Sequence, residues 1–205
     1  MPIFPHSDIV QLIQAVGYLG IFGIVFAESG VPVGFFLPGD SLLFAAGLLA
    51  SQGFFNIWVL IIFIPVAAIL GDNFGYWFGA KVGPKIFTRE DSFFFHKKHI
   101  ERTLNFNIKY GNKAIILSRF IPVVRTFTPI LAGVGQMPYR TFLKYNILGG
   151  VLWGTGMPLL GYFLGSLIPN IDQYLLPIIL VIIAISFSPI IHEIIKHKKG
   201  DHKND

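Results

Sequence analysis

The chain lacks cysteine, has few charged residues, and contains no lysine or arginine before Lys81. Without cysteine it has no disulfide framework, thiol chemistry or cysteine-ligated metal site. Only 13% of its 205 residues are charged while 53% are hydrophobic, and the mean hydropathy is +0.64. These values exclude an ordinary soluble domain and predict one integral membrane unit with short loops. Because no soluble basic domain is present, we expect no nucleic-acid partner.

The basic residues are concentrated in two stretches, with eight between Lys81 and Lys113 and four between Lys196 and Lys203. The positive-inside rule predicts that both stretches are cytoplasmic. The first residues carry no basic region and no evident cleavage site, so we expect them to belong to the mature protein. We expect both termini to be cytoplasmic, and residues 52–56 and 166–173 to face outward.

Length alone would permit six membrane spans, since each needs about 20 mostly apolar residues. Arg140 and Lys144 are also expected to be cytoplasmic, so the segment before them must enter and leave on one face. We therefore predict an all-α membrane protein with about four spanning helices plus two inverted, proline-broken re-entrant hairpins, near 28–50 and 114–135, that meet near the midplane. The six apolar segments are Ile9–Ala27, Val31–Ala50, Ile57–Ala80, Ala114–Gly135, Tyr145–Ile168 and Tyr174–Ile195.

A weak internal similarity supports two inverted halves. Ala46-Gly47 and Ala132-Gly133 are 86 positions apart, and the same offset separates the GYxxG motifs at 75–79 and 161–165. Each half then reads as a broken hairpin followed by a spanning helix, a plan common in transporters.

We expect residues 1–195 to form a single transmembrane domain, followed by a basic cytoplasmic tail at 196–205. Between the halves, residues 84–111 alternate basic and aromatic side chains. This pattern is typical of an amphipathic segment in the headgroup plane. A solvated linker is the alternative for its second half.

Ionisable residues interrupt two of the apolar stretches: Glu28 and Asp40 in the first, Arg119 and Arg125 in the second. A charge near the bilayer centre costs roughly 3 kcal/mol on insertion scales, so such residues are usually functional. The alternative is that an acid only neutralises an arginine to permit insertion. Asp72 is expected to position a hairpin or an arginine rather than to meet substrate.

The two arginines are candidates for binding phosphate, because a guanidinium offers a permanent charge and five donors in a planar fork. Glu28 and Asp40 are candidates for proton coupling, because a carboxylate removed from water binds protons more readily. Backbone breaks are expected to shape the cavity at the supporting residues Pro38, Gly39, Pro122 and Pro129.

These residues also resemble a known pattern, that of the DedA family, which shares the VTT or SNARE-associated domain with eukaryotic lipid scramblases. The resemblance covers roughly Ile9 to Ile168. It is carried by Glu28 with Pro32 and Pro38-Gly39-Asp40, then Gly71-Asp72-x-x-Gly75-Tyr76, then Arg119-Phe120-Ile121-Pro122-x-x-Arg125-Thr126-x-x-Pro129-x-x-Ala132-Gly133.

This resemblance implies a bacterial inner-membrane protein with two re-entrant hairpins. Some family members recycle undecaprenyl phosphate, the carrier lipid of cell-wall synthesis, with dependence on an ion gradient. The essential acidic pair of the family falls on Glu28 and Asp40, and its essential arginine pair on Arg119 and Arg125. A lipid-phosphate substrate, a proton or sodium gradient, surrounding membrane lipids and a possible homo-oligomer follow as expectations.

Three other functions are considered. A lipid-phosphate hydrolase would need a nucleophilic histidine beside the arginines, and all six histidines lie outside the expected membrane core, so we expect no enzyme activity. The spacing of His96 and His99 amid lysines makes a poor metal site, and we expect no metal or other cofactor. A phospholipid scramblase and a proton or ion antiporter remain alternatives to gradient-coupled lipid-phosphate transport.

Overall fold

A computed structural model describes residues 6–32, 34, 37–82 and 97–167. Within these ranges the chain is helical and contains no strand, which confirms the all-α prediction. A 3-10 turn, Gly111–Lys113, precedes the fifth helix. The helices are α1 (His6–Gly30), α2 (Gly39–Ser51), α3 (Ile57–Val82), α4 (Lys97–Tyr110), α5 (Ala114–Ser118), α6 (Pro122–Val134) and α7 (Tyr139–Leu167).

Two of the described helices are long and apolar enough to cross a membrane, by length and composition: Ile57–Lys81 in α3 and Tyr139–Leu167 in α7. At about 1.5 Å per residue, each exceeds the roughly 30 Å hydrocarbon core. The predicted segment Tyr174–Ile195 and the tail lie outside the described residues. The count of four spans and the orientation of both termini therefore stay predictions.

The short helices α2 and α6 pack against the long helices of the opposite halves. A Cβ added at Gly47 of α2 would overlap the Pro158 carbonyl oxygen of α7, and one at Gly133 of α6 would overlap the Tyr76 carbonyl oxygen of α3. The backbones therefore touch at the Ala-Gly motif of each half. The two motifs of the predicted repeat thus make corresponding contacts, with α2 on α7 and α6 on α3.

Large apolar side chains lie on both the inside and the outside of this bundle. Val25, Leu43, Leu60 and Ile64 form part of a buried core between α1, α2 and α3. An outward belt of large apolar side chains, which a soluble surface would rarely carry in such number, includes Leu19, Trp58, Ile62, Trp77, Leu152, Leu160 and Phe163. This belt is suited to contact with lipid.

The first broken segment begins later than expected. Helix α1 continues to Gly30, so Glu28 lies in its last turn, whereas the sequence predicted that the first hairpin begins near residue 28. Gly30 meets the backbone of Gly71 in α3, and a Cβ at Gly30 would come 3.0 Å from the Gly71 Cα, so glycine is what allows the two helices to cross this closely. The close crossing brings the end of α1 against the middle of α3.

The second broken segment has one proline at its break, not two. The chain leaves the helical path after Ser118, and Pro122 begins α6 at a position where its missing N–H costs nothing. Pro129 lies inside α6, so the prediction that it breaks the segment is wrong. Packed helices tolerate an interior proline, and Pro65 and Pro158 lie inside α3 and α7 in the same way.

Helix α4 falls in the predicted amphipathic segment, whose residues 84–96 lie outside the described ranges. Thr103 is fully buried, whereas Leu104, Ile108 and Tyr110 are exposed on the helix surface. Lys109 lies 5.1 Å from the Tyr110 ring. Exposed apolar and basic side chains on one helix are what a headgroup-level helix presents.

Candidate functional site

The five ionisable residues singled out in the sequence meet at one place inside the bundle. Glu28 comes from the end of α1, Asp40 from the first turn of α2, and Asp72 from α3. Arg119 lies in the break before α6, and Arg125 lies in the first turn of α6. The structure therefore joins acids from the first half of the chain to arginines from the second.

Arg125 is held by two carboxylates on different helices. Its Nη2 forms an ion pair with Glu28 Oε1, and its Nη1 lies 3.0 Å from Asp40 Oδ1. The Arg125 and Glu28 side chains are 2% and 1% exposed, whereas 40% of the Asp40 side chain is exposed. Asp40 is thus the exposed carboxylate of this group, and Glu28 is the buried one.

Gly39 makes room for the Glu28 carboxylate. A Cβ on Gly39 would overlap Glu28 Oε2, so only glycine lets the start of α2 come this close to the acid. Pro38 directly precedes this first turn and caps α2 without a side-chain hydrogen bond. Both carboxylates lie by the N-terminus of α2, where the helix dipole favours negative charge.

Trp153 of α7 contacts both partners of the exposed ion pair. Its Nε1–H donates to Asp40 Oδ1 at 2.7 Å, and Arg125 Cζ lies 4.8 Å from the centre of its ring. The Trp153 side chain is itself buried. A cation over an indole face and an N–H donor on a carboxylate are both favourable contacts.

Arg119 forms a second, deeper group. Its Nη2 pairs with Asp72 Oδ2 and also donates to Asn146 Oδ1 at 2.5 Å. Asn146 Nδ2 in turn donates to the Ile69 carbonyl at 3.2 Å, which fixes the amide. Gly149 makes room for the arginine, because a Cβ there would come 3.0 Å from Arg119 Cδ.

The two groups are adjacent. Arg125 Nη1 lies 3.5 Å from the Arg119 carbonyl oxygen, and Thr126 Oγ1 donates to the Glu28 carbonyl at 3.3 Å. Several buried polar atoms at this junction have no hydrogen-bond partner among the described residues: Arg119 Nε and Nη1, Arg125 Nε, Glu28 Oε2 and Asp72 Oδ1. Such atoms are rare in folded proteins, so the group has spare capacity to bind both an anion and a proton or cation.

The charges in the site do not balance. Three carboxylates face two guanidinium groups, which leaves one excess negative charge when all five are ionised. Because the Asp40 side chain is 40% exposed, this excess charge is only partly removed from water. Uptake of one proton or one cation would balance the group, whereas an added anion needs at least one carboxylate to be neutralised or displaced. Among the described residues, no three His, Asp or Glu side chains lie close enough to hold a metal ion.

Sequence reasoning missed two residues of this site, Asn146 and Trp153, and named Thr126 only as part of the family pattern. Asn146 could have been noticed as an uncharged polar residue within an otherwise apolar segment. Trp153 gave no such indication, because an aromatic residue in a membrane helix is ordinary. Of the supporting residues, Pro38, Gly39 and Pro122 lie at the two helix starts, while Pro129 packs inside α6 near Gly75 of α3.

A helical bundle with an apolar outer surface and a buried cluster of acids and arginines is typical of a membrane protein with an internal polar site. The VTT domain model matches residues 37–163, which include Asp40, Asp72 and both arginines. The chain belongs to the VTT-domain family, as the resemblance to the DedA family predicted.

Curated relatives agree with this assignment. The chain is 43% identical to Protein DedA of Escherichia coli over 202 residues, which cover 95% of this chain and 92% of that protein. It is 45% identical over 168 residues to an uncharacterized membrane protein of Mycobacterium leprae, covering 81% and 74% of the two chains. It is also similar to Inner membrane protein YghB of Escherichia coli, with 33% identity over 162 residues, or 79% and 74%. No solved structure matches the chain.

Proposed function

We propose that this protein moves a lipid phosphate across the bacterial inner membrane, driven by a proton or sodium gradient. Undecaprenyl phosphate, returned for cell-envelope synthesis, is the substrate that we favour. The observation that carries the proposal is the buried arginine pair, whose carboxylate partners include one exposed member. Two relatives are named as membrane proteins, one of them as an inner membrane protein, which supports the location.

Phosphate would compete with carboxylate for Arg125. Both terminal nitrogens of Arg125 are occupied, one by Glu28 and one by Asp40. A bidentate phosphate contact through both terminal nitrogens therefore needs one carboxylate to leave. Asp40 is the natural leaving group, because its side chain is exposed and its ion pair, at 3.0 Å, is open to solvent or headgroups.

A proton on Asp40 would favour this exchange. A neutral carboxyl group holds a guanidinium less strongly than a carboxylate does, so protonation releases Arg125 for the substrate. Proton binding and phosphate binding then strengthen each other, and such coupling typically amounts to 1–3 kcal/mol, or about 5- to 150-fold in affinity. The excess negative charge of the site supports proton uptake on entry of an anion.

Arg119 would supply the second phosphate contact. Only its Nη2 is engaged by Asp72 and Asn146, and its Nε and Nη1 have no partner among the described residues. It can therefore donate to a phosphate oxygen while it keeps Asp72. In this proposal either Glu28 or Asp40 carries the coupling proton, and the acid that stays ionised is the counter-charge of Arg125.

A proton or ion antiporter is the second candidate, and the excess carboxylate favours it. Three acids against two arginines leave one excess negative charge, which a proton or a cation would balance without any phosphate. In that case the arginines would be fixed counter-charges. A passive phospholipid scramblase is a third outcome of the same test.

The test is a flux assay with purified protein in liposomes. It compares labelled undecaprenyl phosphate, a bulk phospholipid and protons, each with and without an imposed proton or sodium gradient. We expect gradient-dependent movement of the lipid phosphate alone. Proton or sodium exchange without lipid movement would establish the antiporter, and gradient-independent movement of both lipids would establish a scramblase. An Arg125→Gln variant is the matched inactive control.

A further inference from the structure

Trp153 touches both members of the ion pair that the proposed exchange must open. The two contacts use different parts of the indole: the N–H binds Asp40 Oδ1, and the ring face meets Arg125. Asp40 Oδ1 also accepts from Arg125 Nη1, so one carboxylate oxygen receives both donors. Each contact is made by a different part of the indole, so neither depends on the ion pair itself.

We propose that Trp153 is a positioning residue for substrate binding, an inference that rests on the proposed function. When phosphate displaces Asp40 from Arg125, the indole N–H holds the displaced Asp40 carboxyl group. The indole ring holds the Arg125 guanidinium in the orientation that binds phosphate. The guanidinium is planar and weakly hydrated, so its desolvation against an indole face costs little, and the attraction is stronger where water is excluded. Because the guanidinium is oriented before the substrate arrives, less conformational entropy is lost on binding.

Trp153 packs within the buried apolar core, and its surroundings hold the indole in one position. Trp153 is only 1% exposed. Gly154, its neighbour in sequence, meets Pro65 of α3, where an added Cβ would come 2.9 Å from the Pro65 nitrogen. The α7 backbone is thus fixed against α3, and the indole has little freedom to move with its partners.

The chain offers a clean reporter for this residue. It contains three tryptophans, and the other two, Trp58 and Trp77, are 69% and 52% exposed. Replacing both exposed residues by phenylalanine leaves Trp153 as the only indole. Because Trp58 and Trp77 lie outside the site, this W58F/W77F protein should transport like wild type, and it serves as the parent for fluorescence.

In the reporter protein we expect binding of a dialkyl phosphate or undecaprenyl phosphate to shift Trp153 emission to longer wavelength, since the ion pair beside the indole opens. A neutral lipid of equal chain length is the control and should cause no shift. Binding is measured separately with labelled lipid. Lipid phosphate that binds without altering Trp153 emission would overturn the positioning role while leaving the proposed function intact.

Two substitutions test the role in transport. Trp153→Phe keeps an aromatic face but loses the N–H donor, and Trp153→Leu loses both. We expect the KM for lipid phosphate to rise about tenfold in the first variant and further in the second. The maximal rate per correctly folded molecule should change little. A role in packing alone would lower the folded fraction and the maximal rate at an unchanged KM, which would refute the proposal.

The outcomes separate the two claims. If the wild-type protein neither binds nor transports lipid phosphate, both the proposed function and the positioning role are wrong. If wild type transports but Trp153→Phe keeps the wild-type KM, only the positioning role fails. Should Trp153→Leu fail to fold, Trp153→Phe and the reporter protein still decide the question.

Discussion

Replacing Gly39 by alanine should break the pairing of Glu28 with Arg125. The added methyl group would overlap Glu28 Oε2, so either the carboxylate or the start of α2 must move. Breaking a buried ion pair costs about 3–5 kcal/mol, because it leaves an uncompensated charge. Asp40 still faces Arg125 after the change, so we expect the lower end, about 3 kcal/mol.

The assay is thermal unfolding of the purified protein, combined with lipid-phosphate flux. For a chain of this length, about 3 kcal/mol corresponds to a loss of roughly 6–12 °C in Tm on the scale of soluble proteins. Gly23→Ala is the matched control: Gly23 lies in the same helix as Glu28, and nothing lies within 4 Å of an added Cβ. That control should be neutral or slightly stabilising, since alanine favours the helix.

A second substitution tests whether the overlap with Glu28 is what destabilises the Gly39→Ala variant. Glu28→Asp shortens the acid by one methylene and makes room for the new methyl group. We therefore expect Gly39→Ala with Glu28→Asp to recover part of the Tm lost by Gly39→Ala alone. If Gly39→Ala were as stable and active as Gly23→Ala, the Glu28 carboxylate would not occupy the place beside Gly39, and the description of the site would be wrong.

Two further predictions concern the charged groups one by one. Arg119→Lys and Arg125→Lys keep the charge but lose the planar fork, so both should impair transport while the protein stays in the membrane, with the larger loss at Arg125 because that residue holds two carboxylates. Flux and membrane content are measured together, and full activity of both variants would make the arginines plain counter-charges. Asp40→Asn and Glu28→Gln imitate the protonated acids, so lipid-phosphate binding should depend less on pH than in wild type, and gradient-driven net transport should fail. Binding measured across a pH series checks this, and a wild-type pH response in both variants would contradict it.

The composition of the site could be predicted from the sequence, whereas its pairing could not. Charged residues are so costly in apolar segments that Glu28, Asp40, Arg119 and Arg125 stood out directly. Which acid meets which arginine depends on how the helices are rotated and how closely they cross. The Gly30–Gly71 and Gly133–Tyr76 backbone contacts set those crossings, and no periodicity in the sequence reports them.

The helical class was also accessible from composition, but the breaks were not. Proline was expected to interrupt each broken segment, yet Pro129 is accommodated inside α6 while Pro122 begins it. The difference is one of position: at the first helical residue a missing N–H is free, whereas at an interior residue its cost is offset by packing. The place of Trp153 in the site could not be predicted from the sequence either, because it depends on contacts between helices that are distant in the chain.

Every ion pair described here joins the two halves of the chain. Glu28 and Asp40 on α1 and α2 reach Arg125, and Asp72 on α3 reaches Arg119. Neither set of charges is compensated within its own half, so docking of the halves and neutralisation of the site occur together. A ligand that alters one pairing therefore acts on the contact between the halves.

Asp72 and Arg119 allow the structural and functional parts of this coupling to be separated. Asp72→Asn leaves Arg119 buried without its carboxylate and should cost about 3–5 kcal/mol of stability. Asp72→Asn combined with Arg119→Gln removes both charges and leaves two amides that can bind each other, so most of that stability should return. If Arg119 also contacts phosphate, the double variant will be stable but inactive in flux. A double variant that is both stable and as active as wild type would show that the pair only holds the halves together, and would leave Arg125 as the sole phosphate contact.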